Sequence, residues 1–195
     1  MRSERARTAI LTGALLAFAC GGCDLFSTRE PEPPSDTNCF PLPPTRPSAV
    51  LANLQSAVAQ KCVDTYAACF GGGGRFVFLP SSEAREQYGA LMDDWGTAEE
   101  QAWFRNLVAR GLPNGFSTLI LTPRDSVIAS DSVVYNFDYT FRFEHTLAGF
   151  PAAARGNLQF TLTPDAGNNW SITRWADFKT TDDITWSLFK GKFSN

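Results

Sequence analysis

One stretch of this chain, Ser132–His145, alternates apolar and polar residues, with unbroken alternation from Tyr135 to Glu144. Because successive side chains of a strand point to opposite faces, this pattern predicts a long strand with one dry face and one solvated face. The apolar set is Val133, Tyr135, Phe137, Tyr139, Phe141 and Phe143, and the polar set is Asn136, Asp138, Thr140, Arg142 and Glu144. The rest of the chain must supply partner strands and a cover for the aromatic face.

Composition narrows the class of protein. The chain has 195 residues, of which 44% are hydrophobic, and this suits one globular domain with appendages. The formal net charge is −3 and the sequence has no basic stripe, which argues against nucleic-acid binding. A single histidine and the lack of clustered Cys and His argue against a metal site. The sequence has no glycine-rich nucleotide fingerprint, so no cofactor is expected.

The first 22 residues have the pattern of a lipoprotein signal peptide. Three arginines precede an apolar run, Thr8–Ala19, which is too short for a membrane span because a spanning helix needs ~20 residues. Two glycines precede Cys23. We therefore expect cleavage before Cys23 and attachment of a lipid to its thiol, with Cys20 as the alternative. The lipid would anchor an exported domain at the bacterial cell envelope; which membrane carries it stays open.

Residues 23–47 are predicted to be a tether between the lipid and the domain. Prolines recur through this segment among polar residues. Such a composition cannot build a core and favours extended conformations. The domain proper is then expected to span residues 48–195.

Helical patterns precede the strands. Apolar residues spaced by three and four predict a helix capped by Ser48, with Leu54 and Val58 buried and a break near Lys61. Thr97 and Glu100 have the spacing of a capping box and predict a further helix. Residues 81–95 are expected to be irregular or weakly helical. Besides the long strand, the predicted strands are 75–79, 116–121, 155–163 and 169–178, with a bulge or turn at Thr122–Pro123 after the second of these. Helices that come first and strands that cluster late indicate an α+β class.

Two segments resemble NTF2-like domains, which are also called SnoaL-like or cystatin-like. Ala49–Phe78 has a helix pair ending in Tyr-x-x-Cys-Phe and then a strand, and Asn169–Asp177 is similar to the Trp-x-Ile strand that closes such domains. The resemblance covers residues 48–178. It implies a cone in which a curved antiparallel sheet wraps an N-terminal helix, with a cavity at the open end. The head Gly22–Pro34 and the tail Thr185–Gly191 also resemble a group of uncharacterised bacterial lipoproteins.

Tyr135, Tyr139 and His145 are the candidate site residues. His145 is the only histidine, and NTF2-like enzymes use an acid–base pair near the cavity, so His145 is a candidate catalyst. The pattern places Asp138 on the opposite face from His145, and an ordinary strand-end residue is the simpler explanation of His145. The two tyrosines could hydrogen-bond a ligand in an apolar cavity, or could belong to the core. Tyr139→Phe is expected to leave folding nearly unchanged.

The resemblance leaves three functions open, because the superfamily includes dehydratases, isomerases and binding modules. The first is a lipid-anchored, non-enzymatic module that binds a small apolar ligand or a protein partner, and the missing catalytic set favours it. The second is a lyase or isomerase that uses His145 or a cavity tyrosine. The third is a structural or assembly protein that uses the outer sheet face around Arg142 and Glu144. Related folds often dimerise through that face, so a homodimer is also considered.

Three cysteines remain after lipidation at Cys23, with Cys20 removed in the signal peptide: Cys39, Cys62 and Cys69. An exported chain meets an oxidising compartment, so one disulfide is expected. On one continuous helix Cys62 and Cys69 would lie about 10 Å apart by rise, beyond the reach of a disulfide. We therefore expect Cys39 to pair with one of the two, and the sequence leaves open which one. Trp175 and Asp177 are predicted to lie on the opposite face of the last strand from Trp170 and to pack on the C-terminal segment.

Overall fold

The computed structural model describes residues 39–71 and 76–194. The predicted signal peptide, Cys20, Cys23 and the first part of the tether lie outside these residues. Within them, no helix has both the length and the apolar character that crossing a membrane requires.

The described chain forms a mixed α+β domain, as predicted. Its helices are α1 (Pro47–Gln60), α2 (Val63–Ala67), α3 (Ser82–Met92), α4 (Thr97–Ala109) and α5 (Trp186–Phe193). Its strands are β1 (Val77–Leu79), β2 (Ser117–Ile128), β3 (Val133–Phe143), β4 (Ala153–Pro164) and β5 (Trp170–Phe178). The strands make one sheet in the order β1-β5-β4-β3-β2. All neighbours are antiparallel except β1 and β5, so the sheet is mixed rather than purely antiparallel.

The alternation of β3 is confirmed. Phe137, Tyr139, Phe141 and Phe143 are buried, and Arg142 on the other face is exposed. A shift of the pairing register by one residue would move the whole aromatic set to solvent, so the burial of this face specifies the register.

Helix α1 lies against the inner face of the sheet. Leu54 and Val58 are completely buried, as predicted. Two side-chain hydrogen bonds fix the helix on β2, one from Gln55 Nε2 to the carbonyl of Leu119 and one from the Ser117 hydroxyl to the carbonyl of Ala59, both 3.1 Å long. The helix ends at Lys61, which adopts a left-handed conformation with φ 58°. This confirms the predicted break.

Two predicted helix starts are wrong. Helix α1 begins two residues earlier than expected, at Pro47, with Arg46 rather than Ser48 at the cap position; proline fits the first helical turn because its missing N–H would be unpaired there anyway. Helix α4 is capped at Gly96, whose N–H donates to Oε2 of Glu99 at 2.9 Å. Glu100 is therefore not the capping-box residue, and its side chain is buried.

Two β-bulges interrupt the strands; the bulge at Pro123 was predicted from the proline, and the bulge on β5 was not. Strand β2 does not stop at Leu121 but continues to Ile128, and the register shifts between Pro123 and Asp125. Proline is tolerated there because β2 is an edge strand. On β5 the register shifts between Ile172 and Arg174. As a result, Ile172 and Trp175 both face the core and are fully buried. The prediction that Trp175 lies on the opposite face of the strand from Trp170 is therefore wrong.

Two further segments differ from the sequence prediction. Residues Ser82–Met92, expected to be irregular or weakly helical, form a helix of 11 residues with a kink at Tyr88 where φ is −130°. The last part of the tether, residues 39–46, is attached to the domain. Cys39 is bonded to Cys62, Asn53 exchanges two hydrogen bonds of 2.7 and 2.8 Å with the backbone of Leu42, and the carbonyl of Pro44 accepts from the N–H of Trp170 at 2.6 Å.

Candidate functional site

The structure does not bring the sequence-predicted residues together around one cavity. Tyr139 is buried; its hydroxyl donates to Oδ1 of Asp177 at 2.9 Å and accepts from the N–H of Trp186 at 2.7 Å. Tyr135 is half-buried four positions earlier on the same face. His145 lies just beyond β3, half-buried, with Nε2 3.2 Å from the carbonyl oxygen of Pro151.

Helix α5 occupies the interior of the domain, where the cone-shaped fold was expected to have its cavity. Trp186, Phe189 and Phe193 are completely buried. The ring of Trp186 stacks on Phe141 with centroids 4.5 Å apart and meets Trp175 edge-on at 4.6 Å. The helix thus covers the aromatic face of the sheet, which confirms that Trp175 packs on the C-terminal segment.

The C-terminal part of α5 also covers His145. The rings of Phe193 and Phe189 lie 4.9 and 5.8 Å from its imidazole, measured between centroids, and Phe150 lies at 5.9 Å. Aromatic packing of this kind is compatible with both roles considered for His145, an ordinary strand-end residue and a binding residue.

A buried ion pair joins α5 to α4. Lys190 and Glu100 are both completely buried, with Nζ 2.5 Å from Oε2. Glu100 also accepts a hydrogen bond of 2.6 Å from the Tyr66 hydroxyl and one of 2.6 Å from the indole of Trp95. The ammonium group sits over the ring of Trp175 at 3.6 Å, so cation–π attraction adds to the ion pair.

A second buried polar group surrounds Asp177 at the start of α5. Its Oδ2 accepts from both the N–H and the hydroxyl of Ser187, the former at 2.7 Å, while Oδ1 accepts from Tyr139. Ser187 Oγ in turn accepts from the N–H of Ser81 at 3.0 Å. These bonds satisfy the buried carboxylate and orient the first turn of α5.

Burial dominates the electrostatics of this interior. It lowers the pKa of Lys190 to about 8, against the opposing charges of Glu100 and Asp177. It raises the pKa of Asp177, although the bonds from Ser187 and Tyr139 partly offset this. Burial and then the charge of Glu100 raise the pKa of Tyr66. Perturbed values of this kind occur at active sites, but structural ion-pair networks produce them too.

Four open cavities are lined by described residues, and none of the four is lined by Tyr135, Tyr139 or His145. The largest of these has a volume of about 460 Å³ beside the start of α3. Another, of about 220 Å³, lies between the attached segment at Leu42 and helix α1 at Val50. Among the described residues, no group of three or more His, Cys, Asp or Glu side chains could hold a metal ion.

The outer face of the sheet carries a layer of linked polar side chains. Arg124 contacts both Asp138 and Asn157, and Arg142 pairs with Glu144 at 2.8 Å. Large apolar side chains are also exposed on the same face, among them Ile120, which is 53% exposed, and Phe178, which is 50% exposed. The face is therefore neither purely solvated nor purely apolar.

Comparison with known proteins finds likeness in structure but not in sequence. Neither a protein-family model nor a curated protein matches the chain. An NTF2-like superfamily protein from Salmonella enterica serovar Typhimurium overlaps 69% of this chain and 89% of its own, with a TM-score of 0.52 and 11% identity. The domain has an NTF2-like fold. At such low identity the likeness shows the fold alone.

Two further solved structures are similar to this domain and carry no stated activity. A conserved protein from Planctomyces limnophilus covers 67% of this chain and 91% of its own, with a TM-score of 0.52 and 13% identity. A protein of unknown function from Mycobacterium tuberculosis covers 75% and 85%, with a TM-score of 0.50 and 14% identity. The function must therefore be argued from this chain's own residues.

Sequence reasoning missed the buried charges although the sequence carried a signal for them. Glu100 precedes Trp103, Phe104 and Leu107 at helical spacing, and so lies on the apolar stripe of α4. Lys190 occupies the corresponding place among Trp186, Phe189 and Phe193. A lone charge on the apolar stripe of a helix calls for a partner of opposite sign, because an unpaired buried charge is too costly.

Proposed function

We propose that this chain is a lipid-anchored protein of the bacterial cell envelope, whose NTF2-like domain binds a protein partner at its outer surface and does not catalyse a reaction in its interior. The observation that carries the proposal is the filling of the interior by Trp186, Phe189 and Phe193 of α5. A substrate would have to displace three buried aromatic side chains. Truncation of a buried Phe or Trp to Ala costs about 3–5 kcal/mol, which indicates how much each side chain contributes to the stability of the domain.

Export is supported by an observation separate from the N-terminal pattern. The Cys39–Cys62 disulfide is of a kind that persists in oxidising compartments and is rare in the cytosol. Because residues 39–46 are attached to the domain, the spacer between a lipid on Cys23 and the domain shortens to residues 24–38. At ~3.1 Å per residue in an extended proline-rich chain, its reach is roughly 45 Å.

The anchor is tested by processing and partitioning. The intact protein is expected to enter the detergent phase and to carry a diacylglyceryl group on Cys23 by mass spectrometry. Cys23→Ala should abolish both, whereas the matched control Cys20→Ala should abolish neither. Loss with Cys20→Ala and retention with Cys23→Ala would move the lipid to Cys20.

The outer sheet face is the surface for which a protein partner is proposed. Exposed apolar side chains among hydrogen-bonded polar groups are typical of interfaces that form and dissociate. Ile120, at 53% exposure, lies on this face beside Thr140 of β3. Arg142 and Glu144 pair near the same end of the sheet.

Site-specific photo-crosslinking in the host tests this surface. A photoreactive phenylalanine at Ile120 is expected to give a discrete protein adduct that Arg142→Glu on the same face weakens. The same reagent at Arg105, an exposed position on α4, is the matched control. Equal adducts from both positions, or none from Ile120, would contradict binding at the outer face.

An enzyme is the second candidate, and one observation favours it. Lys190 has a pKa lowered to about 8 beside Glu100, and such pairs occur in active sites. Both side chains are completely buried, so an enzyme of the lyase or isomerase kind would need α5 to leave the interior during turnover.

A further inference from the structure

A cavity of about 460 Å³ opens where β1 passes into α3. Its volume falls within the range of about 300–1,000 Å³ that is usual for small-molecule sites. Its walls come from the β1–α3 connection, from the first turns of α3 and from the end of β5. Its lining includes Leu79, Ser82, Arg85, Arg174, Phe178 and Lys179.

Three cationic side chains line this cavity in a chain whose net charge is −3. Arg85 makes no ion pair with the residues that the structure describes. Arg174 uses one N–H in a bond of 2.8 Å to the side chain of Gln159, and a guanidinium has four more donors. Lys179 pairs with Glu83 at 2.6 Å.

The carboxylate in the lining does not cancel this charge. Asp177 is one of the residues that line the cavity, but its two carboxylate oxygens accept bonds from Ser187 and Tyr139 in the interior. Burial also raises its pKa. The remaining positive charge, together with a low-dielectric wall, focuses the local potential and attracts anions.

The apolar wall of the cavity indicates the rest of the ligand. Phe178 is 50% exposed, and Leu79 also lines the cavity. The side chain of Ser81 makes no cap bond to the first turn of α3, and its hydroxyl pairs with Thr185 at 2.9 Å. The first N–H groups of an α-helix have no acceptor within the helix, so the start of α3, which lines the cavity, favours an anion.

We propose that this cavity binds a phosphate monoester with an apolar body, in which Arg85 and Arg174 hold the phosphate and Phe178 contacts the body. Paired guanidinium groups suit a dianionic phosphate because each can donate two parallel bonds. The inference does not depend on the lipid anchor or on a protein partner, since the cavity lies within one domain.

Equilibrium dialysis of phenyl phosphate against the full-length chain in non-ionic detergent tests the site. Saturable binding with a Kd of about 1 mM or tighter is expected at low salt, and it should weaken as salt rises. The double variant Arg85→Gln/Arg174→Gln should weaken binding ~10-fold or more, as expected for loss of two charge-assisted contacts. Arg105→Gln removes one charge on α4 and should leave binding unchanged.

Glu83→Gln supplies a test that misfolding cannot imitate. It frees Lys179 from its ion pair and is expected to tighten the binding of phenyl phosphate several-fold. No saturable binding by the unmodified chain, or equal loss in the double variant and in Arg105→Gln, would overturn the proposal.

The phosphate could belong to a soluble ester or to a lipid headgroup, and competition separates the two sources. Vesicles of phosphatidylcholine containing phosphatidic acid displace phenyl phosphate if the cavity reaches a membrane headgroup. If they do not displace it, while soluble phenyl phosphate binds and responds to the variants above, the ligand is a soluble ester. Either result leaves the anion site supported.

Discussion

Lys190 of α5 and Glu100 of α4 form an ion pair of 2.5 Å in which neither side chain is exposed to solvent. The pair connects the C-terminal helix to the helical layer at the centre of the domain. Glu100 is completed by Tyr66 and Trp95, and Lys190 by the ring of Trp175. The stability of the filled interior therefore depends on two charged residues whose contact was not predicted from the sequence.

Breaking this pair from one side is expected to be costly. Lys190→Met leaves the Glu100 carboxylate buried without its cation and should lower the free energy of unfolding by about 3–5 kcal/mol. The double variant Glu100→Gln/Lys190→Met removes both charges and should lose much less than the sum of the two single changes. Chemical denaturation of the four proteins measures the coupling; additive losses would show that the pair does not form.

The pH dependence of stability should report Lys190. Its folded pKa of about 8 is below the unfolded value of about 10.4, so the unfolded state binds more protons between these values. Relative to Lys190→Met, the free energy of unfolding should therefore rise from pH 8 to pH 10.5 by roughly 3 kcal/mol and be lowest below pH 8. A flat difference across this window would place the ammonium group in water.

Tyr139→Phe should be destabilising, contrary to the expectation from sequence. The hydroxyl both donates to Asp177 and accepts from the N–H of Trp186, and its removal leaves two buried partners short of a bond. The expected loss in the free energy of unfolding is about 1–3 kcal/mol. Tyr135→Phe, at a half-buried position of the same strand, is the matched control and should change stability by less.

Cys69 should be unreactive in the folded chain. It is buried and unpaired, and burial raises the pKa of its thiol to about 12, so almost no thiolate exists at neutral pH. Iodoacetamide is expected to modify one cysteine of the described chain only after denaturation, and two more only after reduction of Cys39–Cys62. Rapid labelling of Cys69 in native conditions would mean that the layer over it opens readily.

Leu54→Ala tests the helical layer beneath the sheet. Leu54 is completely buried, and a Leu-to-Ala change at such a site costs about 2–5 kcal/mol. A loss below about 1 kcal/mol would show that α1 does not lie on the sheet as described. Leu51→Ala, at a half-buried position of the same helix, should cost less.

Local periodicity accounts for the parts of the fold that the sequence predicted. The alternation around Phe141 in β3 and the stripe through Leu54 in α1 depend on spacings within a single element, and burial of one face enforces both. The bulge at Pro123 was predicted from the proline itself. The bulge before Arg174 inserts one residue and reverses the parity beyond it, which no periodic pattern reveals.

The interior was less predictable because it depends on where α5 packs. Glu100 lies three residues after Thr97, as a capping residue would, and it also lies on the apolar stripe of α4. Only the approach of Lys190 distinguishes the two roles. Tyr139 was correctly expected on the inner face, but its partner Asp177 was not, because the bulge in β5 determines the direction of that side chain. The surface cavity beside Arg85 gave no sequence signal, since its cations come from two distant segments.

An experimental structure of the chain purified from its native host tests the central claim most directly. We expect Trp186, Phe189 and Phe193 of α5 to fill the space beneath Tyr139 and Phe141, with no further density between them. A displaced α5, with a bound molecule in the space between Tyr139 and Glu100, would contradict a filled interior and would favour the enzyme instead.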